Sequence, residues 1–165
     1  NCMSSTNQQE RVRHAGLREK IMSAEQAAEF IQNGMNVGMS GFTGAGYPKA
    51  IPSALAKRIE EAHARGEEFS IGLLTGASTA AECDGVLAKA KGIKMRTPYQ
   101  SDPEFRKQVN AGEAYYFDVH LSHVAQQSTF GFYGDMHMAV IEVAGILPDG
   151  RLIPSTSIGT SNAWL

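Results

Sequence analysis

The 165-residue chain is 42% hydrophobic and 19% charged, with a formal net charge of −2. That length suits one domain with a core of its own. The charge leaves no global basic field for nucleic acid, and no apolar run nears the ~20 residues of a membrane-spanning helix. Two cysteines, Cys2 and Cys83, make neither a disulfide framework nor a zinc site and suit a reducing compartment.

Residues 1–9 are polar, without the apolar core of a signal peptide. The first residue is not Met, so Asn1 and Cys2 read as a remnant or a processing product. Residues 8–20 are expected to form a short leading helix with Val12 and Leu17 as its apolar contacts. Ser23-x-x-Gln26 has the form of a capping box, Ala27, Phe30 and Ile31 give an apolar face, and Gly34 is a stop. The stretch Asn36-Val-Gly-Met-Ser-Gly-Phe-Thr-Gly-Ala-Gly-Tyr-Pro-Lys49 then reads as a strand, a glycine-rich turn and a helix start. Gly41, Gly44 and Gly46 remove side chains where the backbone turns sharply or lies close to something. Pro48 fits the first turn of the helix. Amides gathered at a helix N-terminus favour an anion, and Lys49 could meet one there or be merely solvated.

Ile51, Leu55, Ile59 and Ala62 recur at helical spacing up to Arg65-Gly66. Ser70–Thr75 is a short apolar run, hence a buried strand, which Gly76-Ala-Ser-Thr79 leaves. Val86, Leu87 and Ala90 mark a helix ending near Gly92, and Ile93–Thr97 a third strand cut by Pro98. Asp102-Pro103 starts a helix that Gly112 stops. This β-α-β-α-β-α rhythm predicts an α/β fold, an open, mostly parallel sheet flanked by helices. Residues 114–122 are mixed, and strand and helix cannot be separated there. Phe130–Gly134 is a glycine–aromatic loop. Met138–Ile146 carries the strongest strand signal, with a turn at Pro148-Asp-Gly150 and a returning strand over Arg151–Ile158, at an edge or bulge because of Pro154.

Ligands bind open parallel sheets beyond the carboxyl ends of the strands. Three polar loops fall there: the glycine-rich turn, Gly76–Thr79 and Tyr99–Asp102. Ser78, Thr79 and Ser101 could hydrogen-bond a small acid; each, like Asp102, could equally be only a helix cap. His120-x-x-His123 places two imidazoles on one helical face without an obvious third ligand, so a metal is not expected. Glu113 and Glu142 are candidate acids, and Glu142 must face away from its strand neighbours or be paired. Cys83, with no adjacent His, reads as a structural thiol.

Gly41-Phe-x-x-x-Gly46-x-Pro48 resembles the first signature of the class I coenzyme A transferases. Leu74–Thr79, Asp84-Gly85, Arg96–Asp102, Asn110–Glu113 and Asp118–Leu121 are similar, in order, to the acetyl-CoA hydrolase/transferase branch, which includes succinyl-CoA:acetate and propionyl-CoA:succinate CoA-transferases. The resemblance runs from about Arg13 to Leu165. It implies a CoA-transferase (NagB/RpiA-like) type α/β domain over 13–165, preceded by a flexible or expression-derived leader over 1–12.

By this resemblance the chain is the N-terminal half of an acyl-CoA:carboxylate CoA-transferase. CoA would pass between a short-chain acyl-CoA and a carboxylic acid through a glutamyl-CoA thioester. The nucleophilic glutamate matches no residue here and would come from a C-terminal domain, so this chain alone should lack transferase activity. Gly41, Phe42, Thr43, Gly44, Gly46 and Pro48 would line the acyl-CoA cleft, and Ser78 and Ser101 would contact the acyl or carboxylate group. The family often has Thr at position 101 and Gly at position 40; Ser stands at both here. The resemblance further implies coenzyme A as acyl-CoA substrate, no metal, a homodimer and a cytoplasmic location (mitochondrial in a eukaryote). An acetyl-CoA hydrolase of the same family, or a non-catalytic small-acid-binding or dimerisation module, stays open as an alternative.

Overall fold

A computed structural model describes residues 10–78 and 80–165. Cys2, Thr79 and most of the expected leader lie outside the described residues.

The first two-thirds folds as the rhythm predicts. Strand β1 (Asn36–Thr43) leads through helix α3 (Ala50–Ala64) to β2 (Ile71–Ser78). A π-helical turn (Ala81–Gly85) and α4 (Val86–Lys89) lead to β3 (Ile93–Pro98), and α5 (Pro103–Asn110) to the short β4 (Tyr115–Tyr116). Two short helices, α1 (Ala15–Arg18) and α2 (Ala24–Ala28), precede β1. The sheet is parallel throughout, in the order β4-β3-β2-β1-β5, where β5 is Met138–Ala139. The chain steps outward from β1 to β4 and then returns to the other side of β1. β1 therefore stands where the strand order reverses, the place where such sheets open a crevice.

Val37, Met39, Ile71, Leu73 and Ile93 meet Leu55 and Ile59 of α3 and Leu87 of α4 in a single core. Val124 of α6 (Leu121–Thr129) and Trp164 cover β2 and β1 from the other face; a Cβ on Gly38 would come within 2.4 Å of the Trp164 ring. Local signals explain several boundaries. Ser23 and Gln26 form the capping box. The Asp102 carboxylate accepts from the amides of Glu104 and Phe105, so Asp102, not Ser101, caps α5. α5 ends into Gly112, which takes a left-handed φ of 74°.

Other expectations are corrected. α3 opens at Ala50, so the proline of its first turn is Pro52, while Pro48 is buried just before the helix. The capped helix closes after Ala28 and leaves Phe30 exposed, with only Ile31 of that pair turned into the core. β2 continues through Gly76–Ser78, because those residues still pair with β1 and β3. The leading helix is interrupted: Glu10 and Arg11 are helical, Val12 then bridges to Ile146 and the Arg13 amide donates to the Ile146 carbonyl at 2.9 Å, and helix resumes over Ala15–Arg18.

The strong 138–146 signal is two strands in two sheets. β5 pairs with β1, and after a break at 140–142 β6 (Val143–Ile146) pairs with β7 (Leu152–Pro154) in an antiparallel hairpin. β5 is held in place by Asn36, whose side-chain amide donates to the carbonyls of Tyr133 and Asp135 while its backbone amide donates to His137 Nδ1. The returning strand stops at Pro154, well short of Ile158, and the chain then runs back across β1 to a 3-10 turn at Ser161–Ala163.

Candidate functional site

The parallel register brings the carboxyl ends of three strands side by side. Thr43 of β1 lies opposite Ser78 of β2, and Gly76 of β2 opposite Pro98 of β3. The three polar loops thus share one edge.

Beneath them lies a charged pair. Arg96 and Asp84 are 0% and 1% exposed and joined by a hydrogen-bonded ion pair. Arg96 also donates from Nε to the Tyr99 carbonyl at 3.0 Å and from Nη2 toward Thr75 Oγ1 at 3.4 Å. Asp84 Oδ1 accepts from the Ala80 amide at 2.6 Å. One guanidinium–carboxylate pair therefore fixes the backbone of the loop after β2 and of the loop after β3. Arg suits this place because its planar fork spreads one charge over several acceptors.

The glycine-rich turn closes on itself at its tip, where Phe42 and Ala45 exchange backbone hydrogen bonds of 2.9 and 3.0 Å. Two of its glycines are required. A Cβ on Gly41 would lie 2.5 Å from the Ala45 carbonyl oxygen, and Gly46 has φ +69° with Ser157 Oγ 2.3 Å from where its Cβ would be. Gly44 has open space around it, and the other left-handed residue of the turn is Thr43, at φ 48°. Gly41, Gly46 and Pro48 are buried; Phe42, Thr43 and Gly44 project at the edge. Ser40, in the position where the signature usually has Gly, is buried and accepts the Thr160 amide at 2.8 Å.

Lys49 meets no vacant helix end. Its Nζ donates to Glu142 Oε2 at 2.6 Å and to the Tyr47 carbonyl at 3.0 Å, and sits 4.3 Å from the centre of the Tyr47 ring. Glu142 also accepts from Ser155 Oγ at 2.7 Å, so it is paired rather than simply turned outward. Partial burial pushes its carboxyl up, but the bonds from Lys49 and Ser155 outweigh that and hold it below the ordinary value. Tyr47 is buried and its hydroxyl donates to Glu82 Oε2 at 2.8 Å. Burial, then the Glu82 carboxylate, push the phenol up to about 12, and the same bond lowers Glu82.

Ser78 ends β2 with its backbone opposite Thr43. Ser101 is half-buried on the β3–α5 loop, and its carbonyl accepts from Arg106 at 3.1 Å. Between them the sequence reading passed over Gln100, whose buried Oε1 has no donor among the described residues, and Tyr99, which is exposed beside it. Their position directly after β3 was the available signal. Glu113 pairs with Lys91 on the surface, away from this edge. Cys83 is buried against Met39, and burial pushes its thiol up to about 12, which fits a structural role. His120 Nδ1 lies 2.8 Å from Ser122 Oγ; among the described residues no group of three His, Cys, Asp or Glu side chains could hold a metal ion. A cleft of about 490 Å³ lined by His63, Phe69, Ile93 and Gln108 lies at the opposite, amino end of β2 and β3.

An open parallel sheet with its polar loops gathered beyond the carboxyl ends defines a class of α/β ligand-binding domain, and solved structures share the fold. An Escherichia coli O157:H7 acyl-CoA transferase (YdiF) superposes with a TM-score of 0.55 at 13% identity, over 67% of this chain and 22% of its own. RipA from Yersinia pestis gives 0.50 at 16%, over 81% of this chain and 30% of its own. The chain belongs to the acetyl-CoA hydrolase/transferase family, since the model of that family's N-terminal domain matches residues 3–165. It is 44% identical over 157 residues to the succinyl-CoA:acetate CoA-transferase of Clostridium kluyveri, covering 95% of this chain and 29% of the relative. It is 46% identical over 144 residues to the propanoyl-CoA:succinate CoA transferase of E. coli K12, covering 87% and 29%. An acetyl-CoA hydrolase of Schizosaccharomyces pombe is 36% identical over 158 residues, covering 92% and 30%. The chain thus spans about three-tenths of the length of these relatives.

Proposed function

We propose that this chain is the N-terminal part of an acyl-CoA:carboxylate CoA-transferase that moves CoA between a short-chain acyl-CoA (acetyl-, propionyl- or succinyl-CoA) and a carboxylic acid. The observation that carries the reading is the identity gradient: 44% and 46% to two CoA-transferases, against 36% to the hydrolase. The gathering of the glycine-rich turn and the loops after β2 and β3 at one carboxyl edge supports it.

In this reading Gly41–Pro48 forms one side of the acyl-CoA cleft. Ser78, at the end of β2, and Ser101, on the loop after β3, lie where a donor or acceptor carboxylate would be held. Arg96 and Asp84 hold those two loops at a fixed separation. The nucleophilic glutamate belongs to the C-terminal domain of the same protein. Its carboxylate attacks the thioester carbonyl and expels CoA thiolate, leaving an acyl-glutamyl anhydride. The thiolate attacks the glutamyl carbonyl, releases the first acid and leaves glutamyl-CoA, and the second acid runs the sequence in reverse. Each tetrahedral intermediate needs preorganised donors. A homodimer and a cytoplasmic (in a eukaryote, mitochondrial) location belong to the same proposal.

The 36% identity to an acetyl-CoA hydrolase supports a second reading, in which water is the acceptor. The protein encoded by the whole reading frame separates the two when given acetyl-CoA with and without succinate. Formation of succinyl-CoA with little free CoA supports the transferase. Release of free CoA at the same rate with or without succinate would replace it by the hydrolase, and no turnover of acetyl-CoA, propionyl-CoA or succinyl-CoA would refute both.

A further inference from the structure

Tyr47 leaves the glycine-rich turn, belongs to the main core and is 4% exposed. Its backbone packs on β1, where a Cβ on Gly41 would lie 2.7 Å from the Tyr47 nitrogen. A phenylalanine would fill the same space with no polar atom to satisfy. The hydroxyl instead donates to Glu82 Oε2 at 2.8 Å. Glu82 is exposed, so water alone could satisfy its carboxylate; the bond holds a flexible side chain in one place. It is charge-assisted, the stronger kind of hydrogen bond, and it is the main cause that lowers the Glu82 carboxyl. Lys49 Nζ, 4.3 Å from the centre of the Tyr47 ring and bonded to Glu142, steadies the ring from the hairpin side.

Glu82 belongs to the π-helical turn Ala81–Gly85, in which the Gly85 amide reaches back to the Ala80 carbonyl at 3.1 Å. Such turns are rare and recur at functional sites. Asp84 of the same turn pairs with Arg96, which also holds the Tyr99 carbonyl. The π-helical turn is therefore tied from both sides, by Tyr47 to the glycine-rich turn and by Arg96 to the loop after β3. We infer that Tyr47 is a positioning residue of the acid-binding edge. Through Glu82 it fixes the glycine-rich turn relative to the segment 80–85 that follows β2, and so sets how tightly a carboxylate is held between them. The identity of that ligand rests on the proposed function; the latch itself does not. Tyr47 is buried behind the turn, so its loss weakens acid binding and spares the chemical step.

The protein encoded by the whole reading frame tests this with Tyr47→Phe, Glu82→Ala, Glu82→Gln and the Tyr47→Phe/Glu82→Ala double variant. Hydrogen exchange is followed in the peptides that hold the bonded amides of Phe42 and Ala45 and of Cys83 and Gly85. Tyr47→Phe and Glu82→Ala should each speed exchange in both peptides, on the order of tenfold, and the double variant no further. Glu82→Gln keeps an oxygen for the phenol and should stay near the wild type. In transfer from acetyl-CoA to succinate, Tyr47→Phe should raise the KM for succinate on the order of tenfold and leave kcat within about twofold. Unchanged exchange in Tyr47→Phe, or faster exchange in one peptide only, overturns the inference. So does loosening of both peptides with the succinate KM unchanged, which makes the bond merely structural, and so does a loss confined to kcat. A wild-type protein that transfers no CoA loses the transferase, and exchange then decides the inference alone. It stands if added succinate slows exchange in both peptides and Tyr47→Phe needs on the order of tenfold more succinate for the same protection, and it falls otherwise.

Discussion

Under the carboxyl ends of β2 and β3, Arg96 and Asp84 are wholly buried and each finds several partners. Around the β6–β7 hairpin and the last turn, Ser161 Oγ and Trp164 Nε1 are buried with none among the described residues, and Ile153, Ile158 and Leu165 face outward. The first region is a closed unit that needs nothing further to satisfy it, Gln100 Oε1 excepted. The second is open in both apolar and polar terms. Buried polar groups are expensive unless paired, so the contrast separates a region whose charged groups are paired within the described residues from one where two buried polar atoms are not. The glycine-rich turn bridges the two: Gly41 and Gly46 shape it from within, while Ser157, Thr160 and Glu142 brace it or its strand from the open side.

The largest expected effect breaks the closed region. Arg96→Met leaves the Asp84 carboxylate buried without its partner and should lower unfolding free energy by about 3–5 kcal/mol, measured by urea denaturation of the 165-residue chain. A loss below about 1 kcal/mol would mean that water reaches the pair. Alkaline pH probes the same region. The Cys83 thiol is raised from about 9 to about 12 and the Tyr47 phenol from about 10 to about 12, chiefly by burial. Raised values mean that the folded state keeps its protons longer than the unfolded state. Stability is therefore full below about pH 9 and falls as pH rises toward 12, by roughly 4 kcal/mol at about pH 11. Cys83→Ala should make the fall between pH 9 and 10 shallower, and an unchanged slope would put the thiol in contact with solvent. The smallest effect falls on the bridge. Lys49 and Glu142 are 48% and 29% exposed, and Lys49→Met should cost under about 1 kcal/mol. A larger loss would make the bridge a structural keystone instead of a brace.

Much of the closed region was legible in the sequence because its signals are local. Ser23 and Gln26 cap a helix within four residues, Asp102-Pro103 starts one, and Ile71–Leu74 is a short apolar run between turn signals. The open region was not, because its strands are defined by distant partners. Met138–Ile146 reads as one strand until β1 claims its beginning and β7 its end. At the site, the three loops could be placed after their strands, but the Lys49–Glu142 pair spans 93 residues and has no local signature. Arg96 inside a strand gave no hint of Asp84 beneath the neighbouring loop. Identity misled at Gly44, which reads as a glycine the turn requires yet meets nothing, while Thr43 takes the left-handed backbone.

In the proposed function the carboxyl edge of β1–β3 is the acid-binding wall of this chain. Amide chemical shifts of the 165-residue protein titrated with succinate test it most directly. Saturable shifts are expected at residues 41–46 and 99–102. Shifts confined to the cleft lined by His63 and Phe69 at the opposite edge, or none up to the solubility of the acid, would contradict it.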